Sequence, residues 1–142
     1  PLKSLVLSVV RKDGIALQYA NDDLKYDKAL VLAAVSNNGK SLEYASERLQ
    51  ADPEVARAAA TSGGLNLCIA SNRLKGNRVV VLEAVKQNGM ALEYAAEDLK
   101  GNKDVVLAAF KQNSSSFQHV SKTADIWCDK DFVLFVVKLN GT

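Results

Sequence analysis

Val80-Val81-Leu82-Glu83-Ala84-Val85-Lys86-Gln87-Asn88-Gly89-Met90-Ala91-Leu92-Glu93-Tyr94-Ala95-Ala96-Glu97-Asp98-Leu99-Lys100 is the stretch on which the fold turns. It holds two amphipathic phrases parted by Asn88-Gly89, and the same pair of phrases recurs along the chain. Gly14, Gly39, Gly64 and Gly89 stand 25 residues apart, with Ser114 in the next slot and Gly141 a further 27 residues on. Other columns keep the step: Leu17, Leu42, Leu67, Leu92 and Phe117, then Tyr19, Tyr44, Ile69, Tyr94 and His119. So many columns in one register mark an internal repeat, the signature of an array of small supersecondary units.

Each unit opens on a helix-capping side chain. Asp27, Asp52, Asn77, Asn102 and Asp129 precede the apolar segments and can accept from the unpaired amides of a helix start. Pro53 follows Asp52 directly, at a first-turn position where its missing N–H costs nothing. Helix A then runs to Asn88-Gly89 or its equivalent, and the glycine is expected to take a left-handed C′ conformation. Counted from the cap, positions three, four, five, seven and eight are apolar (Val80, Val81, Leu82, Ala84 and Val85), about 200° of the circumference. A helix apolar over that arc needs neighbours on both flanks. Helix B is shorter, burying Leu92, Ala95 and Leu99 and leaving Glu93, Glu97 and Asp98 in water; whether it is α or partly 3₁₀ stays open at this level.

The fold class that follows is all-α: a right-handed-type α-solenoid of tandem 25-residue helix–turn–helix repeats. Its units fall at about 2–26, 27–51, 52–76, 77–101, 102–128 and a partial 129–142, in one helical-repeat domain. Six A helices spaced by the usual ~8–10 Å give a rod roughly 50 Å long. Leu2 occupies a cap slot, and neither end has a distinctive polar cap, so the chain reads as a piece of a longer protein.

Composition removes several function classes. The chain has 142 residues, 48% hydrophobic and 24% charged, which excludes a disordered or fibrous polymer. Its net charge of +2 is no nucleic-acid footprint, and no apolar run approaches a membrane span. One histidine and two cysteines are too few for a structural zinc site, so neither metal nor cofactor is expected. Cys68 and Cys128 lie 60 positions apart in a stack of local contacts and read as free thiols of a reducing compartment.

The unit Val80 to Lys100 resembles the short helical repeat of domain of unknown function 4116. The likeness covers nearly the whole chain, is cleanest over 28–50 and 78–112, and is weakest over 52–70 and 114–128. More loosely it is similar to other two-helix scaffolds such as leucine-rich-repeat variants. The family occurs, often in tandem, in large multidomain proteins of intracellular bacteria and protists. The resemblance implies a repeat scaffold, with a secreted effector as one setting, and it carries no catalytic motif across.

Catalytic candidates fare poorly. His119 stands in the tyrosine column and reads as a substituted packing residue. Asp22-Asp23 and Glu97-Asp98 lie on the watery side of helix B, without the cleft that two-carboxylate chemistry needs. The glycines end helices and form no phosphate-cradling loop. No catalytic residue is therefore expected.

The outward row of helix A is the candidate binding surface. Position nine reads Arg11, Ser36, Thr61, Lys86, Lys111, Lys138, and position ten reads Lys12, Asn37, Ser62, Gln87, Gln112, Leu139. Partner-binding residues are placed at Lys86, Lys111 and Lys138, and at Trp127 if its ring is an exposed anchor instead of the seal of an irregular last turn. The leading expectation is a non-catalytic scaffold for a protein partner, with no nucleic acid or membrane. The runner-up is an accessory, substrate-positioning region of a larger multidomain enzyme or effector. The tyrosine column is expected to face the core, which leaves a base-stacking reader no platform.

Overall fold

A computed structural model describes residues 2–140, which are helical throughout apart from short connections, with no strand among them. Six helices form the first layer: α1 (Leu2–Lys12), α3 (Lys28–Asn37), α5 (Pro53–Ser62), α7 (Arg78–Gln87), α8 (Lys103–Gln112) and α9 (Lys130–Asn140). The second layer is of 3₁₀ helices, Gly14–Tyr19, Gly39–Tyr44, Gly64–Ile69, Gly89–Tyr94 and Ser114–His119. Between units run one-turn helices, α2 (Asp22–Lys25), α4 (Glu47–Gln50) and α6 (Asn72–Lys75), replaced later by the 3₁₀ turns Leu99–Gly101 and Asp125–Cys128. All substantial packing joins elements of one unit or of adjacent units, so the chain is an α-solenoid.

The cap column behaves as its chemistry requires. The side chains of Asp27, Asp52, Asn77, Asn102 and Asp129 each accept from amides two or three residues on, such as Val80 N–H to Asn77 Oδ1 at 3.3 Å. Backbone bonds tie the far side of the stack at one constant offset. Ser46, Ser71, Ala96 and Ser121 donate their amides to the carbonyls of Lys25, Gln50, Lys75 and Lys100.

The apolar arc divides by direction. Positions three, four, seven and eight are buried in every interior A helix: Leu30, Val31, Ala34 and Val35 in α3, and Val80, Val81, Ala84 and Val85 in α7. The two end helices show which neighbour each pair meets. In α9, positions three and seven (Phe132 and Val136) are buried while Val137 at position eight is exposed; in α1, Leu5 and Val9 at three and seven are exposed while Val10 at eight is buried. Positions three and seven therefore face the preceding unit, and four and eight the following one. Position five is a correction: Leu32, Leu82 and Leu107 are only partly buried and Arg57 is exposed, because this position borders the outer surface.

Helix B is also corrected. Its first half is six residues of 3₁₀ helix, its second a separate turn, with Ala45 or Ala95 extended between them (φ −73°, ψ 159° and φ −71°, ψ 155°). The unit is thus three short elements. The cause lies in the residue closing helix A: Asn38, Asn88 and Asn113 are extended, and each side chain accepts from the amide two residues on, starting the 3₁₀ turn at once.

No glycine among the described residues has positive φ, so the left-handed C′ expectation fails. The glycines are needed for proximity instead. A Cβ on Gly14, Gly64 or Gly89 would run into the carbonyl oxygen of Ala34, Ala84 or Ala109 in the next A helix. They open the 3₁₀ helices instead of ending α-helices. Ser114 departs from the column where α9 is displaced: Phe110, Phe117, Trp127 and Phe132 fill the last junction edge to face, with centroids 5.4, 5.2 and 6.3 Å apart.

Candidate interaction face

Position ten of helix A, read from sequence as an open polar stripe, is largely spent on the stack. Gly14 N–H donates to Asn37 Oδ1 at 2.8 Å, Gly39 N–H to Ser62 Oγ at 3.0 Å, and Gly89 N–H to Gln112 Oε1. Asn37 and Gln112 also return a bond, from Nδ2 to the Arg11 carbonyl at 3.0 Å and from Nε2 to the Gln87 carbonyl at 3.4 Å. One amide thereby closes a helix end and a 3₁₀ start of the preceding unit.

An ionic ladder runs beside these staples. Counted from the cap slot, position one of helix A reaches the cap or position two of the next: Lys3 to Asp27 at 2.6 Å, Lys28 to Asp52 at 3.0 Å and Glu54 at 2.7 Å, Arg78 to Asp104, and Lys103 to Asp129 at 2.9 Å. The Lys3 and Lys103 ammonium groups hold the Asp27 and Asp129 carboxyls below the usual range. At Asp52 burial pushes upward, but Lys28 and the capped amides of Val55 and Glu54 outweigh it and the carboxyl is lowered. Lys28 and Lys103 are raised by their carboxylate partners. The ladder was legible as Lys3, Lys28, Arg78 and Lys103 in one column facing acids one unit later, but sequence reasoning missed it.

With positions three, four, seven, eight and ten committed to the stack, the outward surface of helix A is positions two, five, six and nine, of which position two carries the ladder acids Glu54 and Asp104. Two grooves open there at equivalent places. One, of about 540 Å³ between α7 and α8, is lined by Lys86, Asp104, Leu107, Ala108, Lys111 and Gln112. The other, of about 470 Å³ between α3 and α5, includes Leu32, Ser36, Glu54, Arg57, Ala58 and Thr61. Ala58 and Ala108 at position six leave their floors open, where α7 carries Glu83. In the first groove Asp104 is taken by Arg78, while Lys86 and Lys111 have no ion-pair partner among the described residues.

The structure thus brings Lys86 and Lys111 onto one groove, with Lys138 exposed on α9 outside it. Trp127 lies elsewhere, partly buried, its Nε1 donating to the Ser121 carbonyl at 2.7 Å and its ring between Phe117 and Phe132. The tyrosine column is corrected: Tyr19 is 84% exposed, and Tyr44 and Tyr94 are only partly buried, because the 3₁₀ layer turns them to its rim. His119 in that column is partly buried, with Nε2 unpartnered. Cys68 and Cys128 are exposed free thiols. Asp22, Asp23, Glu97 and Asp98 are exposed, and no group of three metal-ligating side chains gathers among the described residues. No described helix is long and apolar enough to cross a membrane.

The family description "Domain of unknown function (DUF4116)" matches residues 3–50, 27–75, 52–100, 77–123 and 102–142. The chain belongs to this family. Each match spans about two successive units, as expected where a unit is completed only by its neighbour. No curated protein and no solved structure matches the DUF4116 chain.

Proposed function

We propose that this DUF4116 array is a non-catalytic scaffold whose A-helix face binds a protein partner. The observation that carries the reading is the pair of equivalent grooves, each floored by aliphatic side chains and a position-six alanine, left over after stack-building contacts are assigned. Lys86 and Lys111 give the groove between α7 and α8 a positive rim that no internal acid neutralises, suited to a segment carrying carboxylates beside an apolar side chain. A rigid, repetitive support fixes the distance between grooves, so affinity comes from a few anchors set in register.

Site-specific photo-crosslinking tests the reading. A crosslinker at Ala108 or Ala58 is expected to capture a partner that one at Glu93 does not, and Lys86→Glu with Lys111→Glu should abolish capture at Ala108. Equal capture from both faces, or indifference to the lysines, contradicts it.

A further inference from the structure

The two grooves lie two units apart in the interior of the stack, and the junction between them is built differently. Ala58 floors the groove between α3 and α5, and Ala108 the groove between α7 and α8. At the intervening junction of α5 with α7 the same position holds Glu83, which has no ion-pair partner among the described residues. Beside it, Val79 at position two of α7 is 56% exposed. The rims differ as well. Lys86 and Lys111 occupy position nine along the groove between α7 and α8, where the other groove has Ser36 and Thr61. The lining charges of that other groove are Arg57 and Glu54, of opposite sign, so it has no net positive rim. Along the stack the face therefore reads as a neutral apolar groove, an acidic divider, and an apolar groove edged with lysines.

Two A-helix steps of ~8–10 Å place the alanine floors roughly 16–20 Å apart. An extended chain advances ~3.3 Å per residue and turns alternate side chains to one face, so residues i and i+6 stand ~20 Å apart on the same side. Resting on the partner-binding reading above, we propose that one extended segment of the partner protein fills both grooves in a single pass, with an apolar side chain at i over Ala58 and another at i+6, flanked by carboxylates, over Ala108. The carboxylates meet Lys86 and Lys111, which no internal acid neutralises. Side chains at i+2 and i+4 cross Val79 and Glu83, so an acid there is repelled while an uncharged or basic residue is admitted. The unequal rims also fix the direction of the segment, because in the reverse orientation its carboxylates fall beside Ser36 and Thr61. A nucleic-acid strand, negative at every residue, is disfavoured by Glu54 and Glu83.

Fluorescence anisotropy of labelled synthetic peptides with the 142-residue chain tests this. Each peptide carries two leucines in a serine–threonine spacer, glutamates on both sides of the second leucine, and a leucine separation stepped from i+3 to i+13. The i+6 peptide is expected to bind about tenfold tighter than the i+5 and i+7 peptides and than an acidic half-peptide with the second leucine alone. A glutamate at i+4 should weaken it, and Glu83→Gln should restore the loss. Ala58→Glu copies the closed floor of α7 and should reduce the i+6 peptide to the affinity of the half-peptide; should that variant lose helix by circular dichroism, Ser36→Glu at an exposed lining position replaces it. Equal affinity at all separations, no binding of the i+6 peptide at about 1 mM, or indifference to the blocked groove overturns the proposal. So does equal displacement by polyuridylate, or an optimum at about 11–13 residues, the separation a helical segment would need. A half-peptide that still loses affinity with Lys86→Glu and Lys111→Glu then leaves the scaffold reading standing, whereas a half-peptide indifferent to both contradicts that reading as well.

Discussion

Asn37 accepts the Gly14 amide at 2.8 Å and returns its own Nδ2 to the Arg11 carbonyl at 3.0 Å, so one side chain of the second unit closes two open backbone groups of the first. This contact explains why a helix in the middle of a surface row carries a short amide and not another lysine.

Asn37→Ala leaves the buried Gly14 amide without its acceptor and is expected to cost about 1–2 kcal/mol in urea unfolding. Asn37→Ser, which copies the arrangement of Ser62 with Gly39, should recover part of it. An alanine variant as stable as wild type contradicts the staple.

The glycines separate proximity from backbone strain. Gly89→Ala drives a methyl into the Ala109 carbonyl and should cost about 2–3 kcal/mol. Gly76 ends α6 with φ −95° and has nothing nearer than 3.5 Å to an added Cβ, so Gly76→Ala should be neutral or gain about 0.4–1 kcal/mol. Thermal melts of the pair check both, and equal effects would refute the steric account.

Much of this was legible in the sequence, and the misreadings share a cause. The caps Asp27, Asp52, Asn77, Asn102 and Asp129 act within three residues of themselves, and the buried positions follow the helical period, so both could be read locally. Asn88-Gly89 carries the same letters as a left-handed helix stop; what demands glycine there is the Ala109 carbonyl, 20 residues away. Asn37 and Gln112 look like solvated residues until the preceding unit is laid beside them. Leu92, Ala95 and Leu99 are buried as their spacing suggested, but a break at Ala95 preserves that spacing and so could not be detected from it. Tyr19 is 84% exposed whereas Tyr44 and Tyr94 in the same column are partly buried, so a shared column does not by itself fix a side chain's burial.

Two leucines in one column should differ according to their neighbours. Leu30→Ala removes a fully buried side chain between two units and should cost about 2–5 kcal/mol. Leu5→Ala, at the same position of α1, should cost under about 0.5 kcal/mol in dilute solution. Comparable losses in urea titrations would mean that α1 is covered within the single chain.

The ionic ladder sets a pH window. Asp27, Asp52 and Asp129 are lowered on folding, so their stabilisation is present above the ordinary value of 3.8 and is lost as pH falls through their folded values. Lys28 and Lys103 are raised, so theirs is complete below 10.5 and is lost as pH rises through their folded values. The triple variant Lys3→Gln, Lys28→Gln, Lys103→Gln should be less stable than wild type at neutral pH, with the gap closing at both extremes. A gap independent of pH in melting temperature contradicts the assignment.

Small-angle scattering, extrapolated to zero concentration, tests most directly whether the 25-residue units stack only on their neighbours. Six A helices in file predict a pair-distance function skewed to long distances, ending near 50–60 Å. A symmetric function ending near about 40 Å, as a compact 142-residue globule would give, contradicts the stack.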